Sequence, residues 1–215
     1  MHRRALLRAG GASILVGVSG CLSGGETVLN RQRYETDPEN LPYPTWGEAV
    51  PEVTLSDPIS GEEVRTSAVG VPAAYTFFFS HCMSVCPILI GTLRNVQAGF
   101  AGSDQQDMVR FLPITFDPVR DDGRRLEEYA VEMNIDLDAG NWAFLRPETV
   151  ERAETVVTDR FGVVFDRTEA TGEGYMFAHT ALTLLVNADG IVERAYRTGS
   201  PDEMQITADM EALVG

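Results

Sequence analysis

Residues 73–90 read AAYTFFFSHCMSVCPILI. Ala73 to Phe79 is a continuous run of apolar, aromatic and β-forming residues, the pattern of a strand buried on both faces. Ile88, Leu89, Leu93, Val96 and Phe100 then recur at helical spacing, so a helix starts beside the second cysteine. Pro87 lacks an N–H and is comfortable only in a first helical turn. Cys86 is therefore expected at or next to the helix N-cap, with Cys82 in the loop before it. In open α/β sheets this junction, the end of a buried strand, is where ligands bind. The unpaired amides and dipole at a helix start also favour thiolate over thiol.

Outward from this stretch, strands and helices alternate. Met108 to Phe116 reads as a second buried strand ending in Asp117-Pro118. Leu126, Tyr129, Ala130 and Met133 mark a helix, and Val150, Ala153 and Val157 mark another before Phe161 to Phe165. Thr180 to Val186, the turn Asn187-Ala188-Asp189-Gly190 and Ile191 to Tyr196 predict a hairpin. An amphipathic helix follows from about Asp202 to Leu213. Upstream, Val53-Thr54-Leu55, the Pro/Gly turn Asp57 to Gly61 and Val64 predict a small N-terminal hairpin. The fold class is α/β: a sandwich with a mixed central sheet and flanking helices. No repeat or low-complexity segment is visible.

The 215 residues suffice for one domain with a core that needs no disulfide staples. Formal charge is −15, and all 17 basic residues are Arg. Such a balance argues against nucleic acid as a partner. A Lys-free acidic surface fits a halophilic protein adapted to high salt.

Residues 1–21, MHRRALLRAGGASILVGVSGC, are set apart from the fold. Arg3-Arg4 make a twin-arginine start, Ala5 to Gly20 is a small-residue apolar run broken by Arg8, and Val18-Ser19-Gly20-Cys21 resembles a lipobox. The run is short of the roughly 20 apolar residues of a membrane span. The expectation is export, cleavage before Cys21 and a lipid on its thiol; the alternative is an uncleaved anchor helix. Residues 22–50 then form a tether, on which Tyr43 and Trp46 are candidates for docking, and 51–215 the domain. With Cys21 consumed, Cys82 and Cys86 remain as an isolated pair outside the cytoplasm, where oxidation is permitted.

Two buried cysteines can be small hydrophobes or a static disulfide, but their place at a strand-to-helix junction points to metal or redox chemistry. Thioredoxin-like oxidoreductases have two residues between the cysteines, whereas here Met83, Ser84 and Val85 intervene. Two sulfurs alone are an incomplete site for most metals, so a third ligand is sought among the histidines. His2 goes with the signal. His81 can simply cap the loop. His179 is better placed, because in thioredoxin-like folds the segment before the equivalent strand lies against the cysteine motif. Met83 and Met176 are soft donors too, read here as packing.

On these residues the chain resembles the Sco/SenC family of membrane-tethered, thioredoxin-like copper proteins. The match rests on the aromatic strand into Ser80-His81-Cys82, then Cys86-Pro87, Phe116-Asp117-Pro118-Val119-Arg120-Asp121, and His179 followed by a strand and the Asp189-Gly190 turn. It covers about residues 50 to 213. Met83-Ser84 replaces the family's usual Pro-Asp, and many members have a transmembrane helix as anchor. The resemblance implies a thioredoxin-like fold with Cys82, Cys86 and His179 as copper ligands, and soft thiolates with an imidazole suit Cu(I) and Cu(II). It implies that Asp117 orients a ligand or favours the metal's charge, the plainer alternative being a turn former before Pro118. It further implies a metallochaperone that delivers copper to the copper-A subunit of cytochrome c oxidase, outside the cell membrane. A second function class is an enzyme, a thiol–disulfide oxidoreductase cycling Cys82 and Cys86 to reduce client cysteines, with His179 tuning the thiolate. A peroxidase ranks third, for want of a dedicated thiol environment beyond the pair.

Overall fold

The computed structural model describes residues 26–169 and 174–215. The predicted signal and Cys21 lie outside them. A small antiparallel hairpin, β1 (Thr54–Ser56) with β2 (Glu63–Arg65), opens the domain as expected. The central sheet holds β3 (Ala73–Phe78), β4 (Arg110–Thr115), β7 (Thr183–Val186) and β8 (Val192–Tyr196) in the order β4-β3-β7-β8. β3 runs parallel to β4 and antiparallel to β7, so the sheet is mixed.

Every residue of β3 is buried, as its unalternating sequence requires for a strand covered on both faces. Phe78 stacks on Tyr129 of α2 (Gly123–Glu132), while Tyr75 and Phe77 pack on Phe161. Successive β3 side chains thus enter opposite layers. Helices α1 (Val85–Phe100) and α4 (Glu203–Val214) pack together, with Asp202 capping α4 through bonds from the Met204 and Gln205 amides. Among the described residues no helix is long and apolar enough to cross a membrane.

Two features depart from the sequence reading. Thr180 to Val186 is not one strand. Residues 175–179 form β6 (Tyr175–His179), which pairs antiparallel with β5 (Phe165–Glu169) as a hairpin separate from the central sheet; β7 begins only at Thr183. The Thr180 amide donates to the Val164 carbonyl and so still belongs to the hairpin. The helix expected around Val150 to Val157 starts as α3 (Val150–Ala153) and continues to Arg160 wound to the wider π repeat, with Phe161 N–H bonded to the Val156 carbonyl.

Residues 26–50 lie on the domain. Gln32 pairs both ways with the backbone of Ala195 on β8, the Val28 and Leu29 amides donate to the buried Glu193, and Tyr43 and Val50 are buried.

Candidate metal centre

The site is built where β3 hands over to α1. Phe79 to Ser84 form a loop whose turn closes through the Cys82 amide and the Phe79 carbonyl. Helix α1 starts at Val85, so Cys86 is its second residue and Pro87 its third, the position a residue without an N–H tolerates. Ser80 fastens the loop. Its amide and hydroxyl donate to the buried Asp121, and Arg125 donates to its hydroxyl and carbonyl.

Ser84 is the helix N-cap but makes no side-chain cap bond. Its hydroxyl lies 3.5 Å from Cys82 Sγ, and the Cys86 amide donates to the same sulfur at 3.4 Å. Sulfur thus receives an amide that the cap would otherwise leave open. Both thiols are free; Cys86 is fully buried and Cys82 6 % exposed.

His179 arrives from β6. Its Nε2 lies 3.2 Å from Cys86 Sγ, and its Nδ1 lies 3.2 Å from the Thr180 carbonyl. A carbonyl only accepts, so Nδ1 carries a proton, and Nε2 is the ring nitrogen that faces the sulfurs. One donor atom each from Cys82, Cys86 and His179 lie within 4.8 Å of one another. His179 lies 93 residues beyond the nearer cysteine, and the three meet where loop, helix and hairpin come together.

The two sulfurs are not equivalent. The hydrogen bond from Cys86 lowers the pKa of Cys82, aided by His179 and Ser84 against the effect of burial. Burial raises the pKa of Cys86, and the neighbouring Cys82 raises it further. One thiolate and one thiol result, with the charge on Cys82.

Asp117 is 2 % exposed and does not touch the trio through any of its hydrogen bonds. It accepts from Tyr175 Oη at 2.7 Å and from Arg120 Nε. His81 is turned to Ser80 and Asp121, its Nδ1 3.1 Å from Ser80 Oγ and 3.8 Å from Asp121. Met83, expected to pack, is instead 86 % exposed, whereas Met176 is half-buried against the core. The turn that directs Cys82 inward leaves the next side chain outside. Ser84, Arg120, Asp121 and Tyr175 were not picked out as site residues by the sequence. For Arg120 and Asp121 a signal existed in the Asp-Pro-Val-Arg-Asp run, since charges following a buried strand must find partners.

The SCO1/SenC family model matches residues 55–215. The chain belongs to the SCO1/SenC family. Among solved structures, this SCO1/SenC chain is similar to Bradyrhizobium japonicum ScoI with copper bound, at 22 % identity over 77 % of this chain and 98 % of that one, TM-score 0.63. A SCO1/SenC family lipoprotein from Bacillus anthracis matches at 21 % identity over 79 % and 96 %, TM-score 0.64. BsSco, described by its disulfide switch and as a member of the Sco family of cytochrome c oxidase assembly proteins, matches at 22 % identity over 83 % and 96 %, TM-score 0.60. No curated protein matches the sequence. The fold is the thioredoxin-like one of these Sco structures.

Proposed function

We propose that this SCO1/SenC protein is a metallochaperone that binds copper through Cys82, Cys86 and His179 and delivers it to the copper-A site of cytochrome c oxidase. The observation that carries the reading is the convergence of two sulfurs and an imidazole Nε2 within 4.8 Å, with the far nitrogen of the ring bonded to the Thr180 carbonyl. Thiolate and imidazole donors suit Cu(I), and the imidazole lets the same set hold Cu(II). The chain's own groups are prepared for this cargo: Cys82 favours its charged form, His179 is turned with Nε2 to the sulfurs, and Cys86 gives up its proton as metal enters. Copper in the B. japonicum relative supports the ion, and the assembly role stated for BsSco supports the client. The lipobox ending at Cys21 and the B. anthracis lipoprotein support a lipid anchor and work on the outer face of the cell membrane.

A second reading is favoured by the unequal pair. A thiolate on Cys82 beside a buried thiol on Cys86 is the arrangement of a nucleophile and a resolving partner in thiol–disulfide exchange. The two activities are compatible, because client cysteines must be reduced before they can take metal.

The test is copper content and the visible spectrum in molar KCl for the wild type and for Cys82→Ser, Cys86→Ser and His179→Ala. The expected result is about one copper per chain with thiolate-to-Cu(II) absorption, lost or altered in every variant. Full copper affinity in His179→Ala would defeat the three-ligand site. Absence of copper together with a mixed disulfide trapped on Cys82 in Cys86→Ser would make the protein an oxidoreductase. Transfer of bound copper to an isolated copper-A domain then tests the client.

A further inference from the structure

His179 does not stand on the central sheet. It ends β6, in a two-stranded hairpin with β5, so the place of the imidazole depends on what fastens that hairpin. Residues two apart on a strand share a face, which puts Tyr175, Phe177 and His179 together. Phe177 packs edge-on against Phe79 at 5.2 Å and Phe116 at 5.4 Å, and the His179 ring lies 5.0 Å from Phe116. Apolar burial of this kind holds a face down but is non-directional. Something else must set the hairpin's position along that face.

The directional contacts are at Tyr175. Its hydroxyl donates to Asp117 Oδ1 at 2.7 Å, and its carbonyl accepts from Arg120 Nη1 at 2.8 Å. Arg120 also pairs through Nε with Asp117, and its guanidinium lies 3.7 Å from the Tyr175 ring centroid. The Arg167 guanidinium lies 3.8 Å from the same ring centroid. Asp117 is buried, so its bonds form in a low dielectric, where they are strong and specific. The Arg120 guanidinium also lies 5.7 Å from the ring of Phe79, three residues before Cys82. One arginine thus touches both the hairpin that carries His179 and the segment that leads to the first cysteine.

We propose that Asp117, Arg120 and Tyr175 form a latch that fixes the β5–β6 hairpin so that His179 Nε2 stays beside Cys86. With the latch closed the site offers three donors; with it open the imidazole leaves and the two sulfurs remain. These are positioning residues, since none of their hydrogen bonds reaches the trio. The consequence for copper rests on the function proposed above, whereas the latch itself is judged without metal.

The experiment uses the full chain in molar KCl, wild type beside Tyr175→Phe and Asp117→Asn. In the metal-free protein, amide hydrogen exchange is followed by mass spectrometry over residues 165–179 and 73–78, together with carbethoxylation of His179 by diethyl pyrocarbonate. Tyr175→Phe keeps the ring and removes only the hydroxyl, so it serves even if Asp117→Asn fails to fold. Loss of a hydrogen bond to a charged acceptor should speed hairpin exchange and His179 modification about tenfold, with residues 73–78 unchanged. On copper loading, the Tyr175→Phe spectrum should move toward that of His179→Ala. Wild-type exchange and modification in both variants would overturn the latch. A loosened hairpin with an unaltered copper spectrum would overturn the departure of the imidazole on opening. A wild type that takes up no copper defeats the copper reading alone, and exchange with His179 modification still decides the latch.

Discussion

Between Cys82 and Cys86 one proton is unequally shared, because the Cys86 side chain donates its hydrogen bond to Cys82 and Cys86 is the more deeply buried. The Cys82 sulfur receives the Cys86 amide from the first turn of α1 and has the Ser84 hydroxyl beside it, while Cys86 lies deeper with no exposure. A lowered pKa on Cys82 means that its thiolate persists as pH falls below the ordinary cysteine value of about 8.5. Alkylation at Cys82 by iodoacetamide, located by peptide mass, should therefore hold nearly constant from pH 8 to pH 5. An ordinary thiol would slow about tenfold per pH unit over that range, and such a slope at Cys82 would show that it is no standing thiolate. Cys86, buried and holding its proton, should stay unmodified in the native protein. At this scale the sequence was half legible. Pro87 and the spacing of apolar residues after it located Cys86 in the first turn. The contacts of Asp117 with Tyr175, 58 residues away, have no local signature and exist only where the hairpin folds back on the loop.

The elements show the same division. Strand β3 and helix α1 could be read directly, because an unbroken apolar run and a helical repeat each satisfy one geometry. The run from Tyr175 to Val186 could not be parsed that way. Where it breaks depends on which neighbour accepts each amide, and Val164 takes that of Thr180 while β3 pairs with residues from Thr183 onward. The helix of residues 150–160 likewise finishes in a π winding that the sequence does not announce. Gly162, at φ +69°, turns the chain just after it, and a Cβ there would lie 1.9 Å from the Pro42 carbonyl oxygen. Gly162→Ala thus meets a left-handed conformation and a backbone clash together. It should destabilise the protein by about 2–4 kcal/mol in denaturant unfolding. A change within about 0.5 kcal/mol would mean that the segment around Pro42 moves aside freely. Gly162 lies outside the trio, so copper uptake below the melting range should be unchanged.

At the scale of the whole molecule, residues 26–50 complete the domain more than they tether it. β8 is the edge strand of the sheet, and an uncovered edge is a hazard that proteins avoid. Gln32 supplies both a donor and an acceptor to Ala195 there, and the Val28 and Leu29 amides, with Asn187, satisfy the fully buried Glu193. A chain starting at Tyr34 would leave that carboxylate short of two charge-assisted bonds. Its unfolding free energy should fall by roughly 3 kcal/mol relative to a chain starting at Glu26, measured by denaturant titration; equal stability would show the strap to be dispensable. The acidic, Lys-free composition, the signal-like start and the Cys-x-x-x-Cys-Pro junction were determined by the sequence alone, because each is a property of residue identity or short-range spacing. The alternation of strands and helices was too, since periodicity reports which faces are buried. Only the tertiary structure set His179 against Cys86 after the sequence had singled it out, gave Asp117 to Tyr175 and Arg120, and laid residues 26–50 along β8. Those are contacts between segments far apart in the chain, selected by hydrogen-bond partners that exist only once the sheet, the hairpin and the loop have come together.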